Sequence, residues 1–443
     1  MSNSVKFNPA YPVITESNRW FDRAKGLIPA YTQTLAKGPQ QYVEGVAPKY
    51  LKRGKGARVW DADGNEYLDY QMGIGPLSLG YAFDPIDEAI KAQLADGITF
   101  SQMHPLEVEV AELIRDTVPG AERIRFSKTG CDVTTAAIRV ARAFTGKNKV
   151  LCCGYHGWHD WYIAVTDRNK GIPESTRDMS FTFNYNDIQS VIDSLDGDIA
   201  AIILEPVVFE APKNNFLHQL RDLCNEHGIV LIFDEMWTGF RLAPGGAQEY
   251  FGVRADLACF SKAVANGMPI SMLTGRADLM DLLHEDIFFF TTFGGEALSL
   301  AAAKATIQFI RDHQVPQVLA SRGKRIREGY NQLAADLNMP YTRCSGFDVR
   351  TIVSFDATAG NPLEMKSLVQ QELIKRGILW GGFHNMSFSH TDADVDYTLS
   401  AFTEVLAILK KAVDEKNVAG YLKGKPVGPV FRKTSNFNMK PKS

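Results

Sequence analysis

Asp234 and Lys262 are the residues of this chain best placed to do chemistry. Asp234 ends the apolar run Val230-Leu231-Ile232-Phe233, and Lys262 follows the apolar run Leu257-Ala258-Cys259-Phe260 after a single serine, Ser261. Short uninterrupted apolar runs cut off by polar residues predict strands buried on both faces of a parallel sheet. Ligands of such sheets sit beyond the carboxyl ends of the strands, so Asp234 and Lys262 would face one crevice. A lysine there can form a Schiff base, and a buried carboxylate there can hold a protonated ring nitrogen. That pairing is the protein side of pyridoxal phosphate (PLP) chemistry. A structural ion pair between strand ends would give the same two residues.

The surrounding chain has the pattern needed to position such a pair. From about residue 120, strand-like and helix-like stretches alternate, which predicts a doubly wound α/β domain. Ile124-Arg125-Phe126 reads as a strand leading to Thr129-Gly130-Cys131, followed by a helical run, Asp132–Thr145, with Arg139 and Arg142 on its flank. A glycine-containing turn that opens a helix presents unpaired backbone N–H groups at the positive end of the helix dipole, which suits a phosphate, although ordinary helix caps look alike. Val150-Leu151-Cys152-Cys153 is a further buried strand ending in Gly154-Tyr155-His156-Gly157-Trp158-His159, whose aromatics could stack on a flat ring or belong to the core. Ala200–Leu204 ends in Glu205-Pro206, a third carboxylate at the same edge, and His218–Gly228 reads as the helix leading back to Val230. After Lys262 come a reversed strand, Ile270–Thr274, a Thr/Gly-rich stretch, Phe288–Glu296, and a helix rich in small residues, Leu298–Phe309.

The flanks carry different signals. Ser17 to Leu35 has helical spacing interrupted by Pro29, and Ala62-Asp63-Gly64-Asn65 reads as a hairpin turn between Arg58-Val59-Trp60 and Tyr67-Leu68-Asp69. Gly73-Ile74-Gly75 lacks the spacing of a dinucleotide site and is read as close packing or substrate contact. His104–Val118 looks helical, as do Gln317–Leu337, Pro362–Arg376 and Val395–Lys411. We divide the chain into an N-terminal segment (1–60) contributing to a small domain, a large domain (61–314) and a C-terminal small domain (315–443). The stretch after Glu415 has seven basic residues and no acidic one, the composition of a solvated tail or of a contact with a neighbouring subunit.

At 443 residues the chain is long enough for one large and one smaller domain. With 45% hydrophobic and 22% charged residues it is an ordinary globular composition, and a net charge of −3 argues against nucleic-acid binding. No apolar run approaches bilayer length, and Met1-Ser2-Asn3-Ser4 opens no signal-peptide core, so a cytoplasmic protein is expected. Six irregularly placed cysteines form neither a disulfide framework nor a CxxC pair, and the nine histidines include no HExxH, so no metal site is expected.

The run Asp234-Glu235-Met236-Trp237-Thr238-Gly239-Phe240-Arg241, followed by Gly245-Gly246-Ala247-Gln248-Glu249-Tyr250-Phe251-Gly252-Val253, strongly resembles class III aminotransferases, and within them the glutamate-1-semialdehyde 2,1-aminomutases. The likeness runs from about Ser17 to Leu409. It implies fold type I of PLP-dependent transferases: a large α/β domain with a mostly parallel sheet flanked by helices, plus a small α+β domain. It also implies covalently held PLP and a homodimer with active sites at the interface. Carried over position by position, Lys262 matches the Schiff-base lysine and Asp234 the aspartate on the pyridine nitrogen. Thr129-Gly130-Cys131 matches the phosphate turn, with cysteine replacing a threonine hydroxyl. Tyr155 matches the tyrosine stacked on the ring and Met236 the apolar residue on its other face. Glu205 matches a glutamate near the 3-hydroxyl, and Thr292 the threonine that reaches the phosphate of the other subunit.

Departures from the aminomutase pattern bear on the substrate. The arginine that holds the aminomutase's substrate carboxylate is matched here by Lys37, a point charge rather than a bidentate fork. The stretch between Trp161 and Tyr185 is shorter than the mutase's mobile gating loop. Ile378–His390 contains neither glutamate nor arginine, leaving His384 and His390 as its only titratable residues. Lys37, His156 and His384 are therefore the candidate substrate contacts. These departures favour an aminotransferase acting between two separate molecules, with the aminomutase as the alternative and a racemase behind both. The run Thr32-Gln33-Thr34 to Lys37-Gly38-Pro39 resembles aminotransferases of surface-polysaccharide synthesis, which makes an amino sugar a candidate substrate. A PLP-fold protein retained only as a binding module would be expected to have lost the lysine or the aspartate, and both are present.

Overall fold

The computed structural model describes residues 10–207 and 210–429, so most of the basic tail lies outside the described residues. The chain divides into two compact units, residues 84–316 and residues 10–83 with 317–429.

The unit of residues 84–316 is built on a seven-stranded sheet. In spatial order its strands are Arg123–Ser127, Ser271–Gly275, Leu257–Phe260, Val230–Asp234, Ile199–Leu204, Lys149–Cys153 and Ser180–Thr182. Only Ser271–Gly275 runs against the rest, pairing antiparallel with both neighbours. Every residue of Ile199–Leu204, Val230–Asp234 and Leu257–Phe260 is buried, as expected of a parallel sheet covered on both faces. The helix Gly130–Thr145 packs across these strands through Val133, Ala137, Val140 and Ala141, an apolar stripe at helical period. It starts at a capping box, Thr129 with Asp132, and stops at Gly146 in the left-handed region (φ 66°). The helix Ala297–Asp312 is buried through Ala301, Ala302 and Ala303, whose small side chains let backbones approach closely.

The unit of residues 10–83 and 317–429 has two small sheets. Leu51–Lys55, Arg58–Asp61 and Glu66–Asp69 pair antiparallel, the last two as a hairpin with Gly64 at φ 90° in the turn. Ile378–Leu379 then joins Glu66–Asp69 in parallel, Ile378 opposite Leu68. The second sheet is Thr342–Phe347, Arg350–Phe355 and Phe383–Asn385, all antiparallel. The helices Pro362–Lys375 and Asp392–Asp414 pack on each other.

Two sequence expectations need correction. Residues 61–83 belong with the smaller unit, because the strand Glu66–Asp69 finds its parallel partner in Ile378–Leu379. The helical spacing from Ser17 to Leu35 yields a helix only over Thr15–Ala24, after which the chain turns through short 3-10 segments at Pro29–Tyr31, Leu35–Lys37 and Pro39–Gln41. Proline opens two of these segments and Ala30 is left-handed (φ 58°), so a continuous α-helix is not maintained.

Candidate active site

Strand register brings the chemistry-bearing residues of the larger unit to one edge. Cys153 lies opposite Leu204, Leu204 opposite Phe233, and Asp234 opposite Cys259. The residues after these strand ends are Gly154 to Trp158, Glu205, the Asp234 carboxylate itself, and Ser261 with Lys262. Lys262 takes left-handed backbone (φ 47°) where the chain leaves the Leu257–Phe260 strand for the turn Lys262–Ala265. A lysine gains nothing by itself from that conformation, so the surrounding fold holds it there.

Asp234 is 1% exposed and its two oxygens are held separately. Oδ1 accepts from the Met236 N–H at 3.1 Å, and Oδ2 meets His156 Nδ1 at 2.7 Å. His156 Nε2 lies 3.1 Å from the Cys153 carbonyl, so both ring nitrogens face acceptors, and the ring stacks on Trp161. Glu205 is the third carboxylate. Burial and the nearby charge of Asp234 push its carboxyl upward, while the Tyr155 N–H (2.8 Å), His156 and Lys262 pull it back. Lys262 thus lies within the electrostatic reach of Glu205. Glu235, next to Asp234, anchors local backbone instead. It accepts from Thr238 Oγ1 and from the backbone N–H groups of Ala247 (2.8 Å) and Gln248 (3.1 Å), at the start of the helix Gly246–Phe251. Burial raises its carboxyl to about 7.

The phosphate-turn candidate lies against these residues. A Cβ on Gly130 would come 2.9 Å from Met236 Sδ, so the missing side chain is where methionine packs. A Cβ on Gly157 would come 2.5 Å from Cys131 Sγ, which also accepts from the Trp158 N–H at 3.4 Å. Burial raises the Cys131 thiol above its ordinary range. The Thr129 hydroxyl donates to Asp132 Oδ1 at 2.8 Å within the capping box, which leaves first-turn backbone N–H groups as the candidates for holding an anion. Tyr155 is 52% exposed, its ring edge-on to Tyr162 at 5.6 Å, so part of it is open to a ligand.

The three substrate candidates read from the sequence have different surroundings. His156, expected to touch substrate, is 2% exposed and occupied by Asp234 and Cys153, so it positions the carboxylate. His384 is fully buried in the smaller unit, Nδ1 2.9 Å from Thr351 Oγ1 and the ring edge-on to Tyr70. Lys37 is exposed and lines a cavity of about 360 Å³ in the smaller unit with Thr32, Thr34, Tyr42 and Lys49. Thr292 is exposed on a loop bearing Phe288, Phe290 and Phe293, three large side chains open to solvent. Arg139 donates to the Phe288 carbonyl (2.7 Å), and Arg125 to that of Phe289 (2.9 Å) while lying 4.5 Å over the Phe290 ring. Sequence reasoning noted Arg139 only as a helix flank and missed this clamp. Nothing in the spacing of either arginine indicates it.

The donor set suits a cofactor with a ring nitrogen, a flat face and a phosphate. It offers a buried carboxylate with both oxygens anchored, a half-exposed tyrosine, a helix N-terminus whose glycine lets methionine pack close, and an amine at the adjoining strand end. Comparison with known proteins defines the class. Residues 42–404 match the family model Aminotransferase class-III, and the chain belongs to that family of PLP-dependent aminotransferases and aminomutases. Among its relatives, the 3-aminobutyryl-CoA aminotransferase of Cloacimonas acidaminovorans (strain Evry) is 34% identical over 411 residues, 90% of this chain and 98% of that one. The glutamate-1-semialdehyde 2,1-aminomutase of Persephonella marina (strain DSM 14350 / EX-H1) is 32% identical over 389 residues, 80% of this chain and 90% of its own. Among solved structures, the FumI protein of Sphingopyxis sp. MTA144, in a PLP form, superposes with a TM-score of 0.85 at 29% identity, covering 93% of this chain and 99% of that one.

Proposed function

We propose that this chain is an aminotransferase that moves an amino group between two separate small molecules, with Lys262 tethering the cofactor and Asp234 facing its ring nitrogen. The observation that carries this reading is the buried Asp234 carboxylate, fixed by His156 and the Met236 N–H at the same sheet edge as Lys262. PLP, when bound, supplies a ring that accepts the electron pair left on the substrate carbon as its proton departs. Asp234 would keep the ring nitrogen protonated by placing a buried negative charge beside it. His156 holds that carboxylate in one orientation. Lys262, as a free amine, takes the proton from the substrate carbon and returns it elsewhere, the acid–base work of the reaction. Thr129, Gly130 and Cys131 would hold the phosphate through backbone N–H groups, Tyr155 and Met236 would bound the ring, and Glu205 would lie near its hydroxyl.

Transfer between two molecules is favoured over isomerisation by the fold of residues 161–185. This stretch forms the short helices Asp160–Ile163 and Glu174–Arg177 and the sheet strand Ser180–Thr182, not a long gating loop. We place the reacting amine β to a carbonyl group, as in the substrate for which the Cloacimonas relative is named. Neither named relative is called after a sugar, so an amino-sugar substrate has no support from them. The aminomutase remains the second reading on the strength of the Persephonella relative. We further infer a cytoplasmic homodimer. The six cysteines are free thiols, as a reducing compartment keeps them, and the clamped loop presents Thr292 and three phenylalanines outward. In such a dimer Thr292 would reach the phosphate bound by the other subunit.

The test is the colour of the cofactor. 3-Aminobutyrate should bleach the PLP absorbance, and a keto acid such as pyruvate should restore it with release of one carbonyl product per cycle. Isomerisation of glutamate-1-semialdehyde without any second substrate, together with no bleaching by separate donors, would instead establish the mutase.

A further inference from the structure

Lys128 stands immediately before the turn Thr129-Gly130-Cys131, and its ammonium is committed to a segment 168 residues further on. Nζ donates to Glu296 Oε2 at 2.8 Å and to Ser299 Oγ at 3.2 Å. The two side chains of the ion pair are 19% and 11% exposed, so the pair lies largely out of water. Removing one partner of such a pair leaves the other as a poorly compensated charge.

Glu296 uses both of its oxygens. Oε1 caps the helix Ala297–Asp312, accepting from the Leu298 N–H at 2.7 Å, while Oε2 takes Lys128 and the Ser299 hydroxyl, the latter at 2.6 Å. Burial pushes its carboxyl up, and the Lys128 ammonium, the Ser299 hydroxyl and the Leu298 N–H more than offset that, leaving it below the ordinary range. The residues just before Glu296 pack closely too. A Cβ on Gly294 would come 3.0 Å from the Phe126 carbonyl oxygen, so the loop meets the strand Arg123–Ser127 where it has no side chain.

The same network reaches the Lys262 side of the site. Ser271 lies opposite Ser127 in the sheet, which brings Pro269 and Ile270 alongside the start of the turn. Ser299 Oγ is 3.2 Å from the Pro269 carbonyl, and Ser261 Oγ donates to the Ile270 carbonyl at 2.7 Å, one residue before Lys262. One buried ion pair thus ties the turn to the loop that carries Thr292 and to the segment that follows Lys262. All of these residues belong to the larger unit.

We propose that Lys128 is a positioning residue for the cofactor phosphate: paired with Glu296 and bonded to Ser299, it holds the turn Thr129-Gly130-Cys131 against the loop of residues 291–296. This rests on the reading of that turn as the one that holds the phosphate.

The experiment titrates the full-length protein, freed of cofactor, with PLP and with pyridoxal, which has the same ring and aldehyde but no phosphate. Tryptophan fluorescence reads the binding, and wild type should bind PLP more tightly than pyridoxal. Lys128→Met should bind PLP roughly tenfold more weakly, within the range for side chains coupled in one network, with its pyridoxal affinity unchanged. Glu296→Gln, which keeps an acceptor for the helix cap, should show the same selective loss, and the double variant should lose no more than either single one. Lys128→Arg, which can restore the ion pair, should stay within a few-fold of wild type. Circular dichroism of each variant establishes that it is folded, and Glu296→Gln carries the comparison if Lys128→Met is not. PLP affinity unchanged in the folded variants overturns the proposal, and so does an equal loss for PLP and pyridoxal, the mark of a structural tie alone. A loss in Lys128→Met that Glu296→Gln does not share also overturns it, because the ammonium would then act on the phosphate directly. Equal binding of PLP and pyridoxal by the wild type would instead remove the phosphate turn itself, and the proposal with it.

Discussion

Asp234 and Glu235 are adjacent carboxylates with opposite fates. Glu235 is enclosed by backbone donors at a helix start and pushed up to about 7, whereas Asp234 ends a strand with its oxygens divided between a histidine and an N–H. Replacing Asp234 by asparagine keeps the shape but removes the charge opposite the ring nitrogen. The expected outcome is a loss of roughly a hundredfold or more in turnover, the scale of removing one preorganised electrostatic contact. Steady-state kinetics at saturating PLP check it, and near-normal turnover would take Asp234 out of the mechanism. Lys262→Ala should lower turnover by roughly 10²–10⁴-fold, the share of a positioned acid–base group, yet still take up PLP through the turn and Asp234. Gel-filtered mutant that retains phosphate-bearing cofactor but releases it on denaturation even after borohydride treatment, which fixes it in wild type, would match this. Full activity would mean the tether is another residue.

At the scale of elements, the proposed phosphate turn depends on two loops packing without side chains. Gly157 sits at φ 108° with Cys131 Sγ where its Cβ would be. Gly157→Ala should cost roughly 1–3 kcal/mol of stability from backbone strain and overpacking. PLP affinity should fall with it, because the displaced cysteine belongs to the turn. Thermal melts with and without PLP measure both effects, and a variant as stable as wild type would show that the loop relaxes freely. The Phe288–Phe293 loop makes a different demand, since Arg125 and Arg139 hold its carbonyls while its side chains face outward. If Thr292 binds phosphate across a dimer, Thr292→Val should weaken PLP binding by about 1.5–3 kcal/mol, or roughly tenfold to a hundredfold, and lower dimer stability only when PLP is present. Sedimentation of both forms with and without PLP decides this, and active wild-type monomers would refute the shared site outright.

For the molecule as a whole, one pH-sensitive group lies in the smaller unit, away from the sheet-edge carboxylates. Burial drives His384 down from 6.5 to about 3, with the neighbouring His390 adding to the shift. The folded state therefore favours neutral His384, and the unfolded chain takes up the proton first. Its contribution to stability is complete above pH 6.5 and is lost as pH falls toward 3. At pH 5 the loss from this one ring is about 2 kcal/mol, since each unit below the unfolded value is worth about 1.4 kcal/mol. Denaturant titrations at pH 7 and pH 5 should show that His384→Gln has a pH dependence shallower than wild type by about that amount. Identical slopes in the two proteins would locate the acid sensitivity elsewhere.

What the sequence determined by itself was the large sheet and the residues at its edge. Buried parallel strands are uninterrupted apolar runs, and the point where polarity changes marks where a strand ends, so Asp234, Glu205 and Lys262 could be placed from the chain alone. The turn at Thr129-Gly130-Cys131 and the hairpin at Asp63-Gly64 were readable for a similar reason: caps and left-handed turns demand particular residue types locally. Tertiary structure alone decided the rest. Residues 61–83 went to the smaller unit because Leu68 pairs with Ile378, a partner whose position no local period encodes. His156 and His384 have the same side chain, and only their surroundings make one the brace of a carboxylate and the other a neutral core ring. Arg125 and Arg139 came to hold a loop through approaches of segments far apart along the chain. Local pattern specifies period, burial and termination. Which distant group meets a given charge depends on how the elements are packed, and that is a property of the folded molecule.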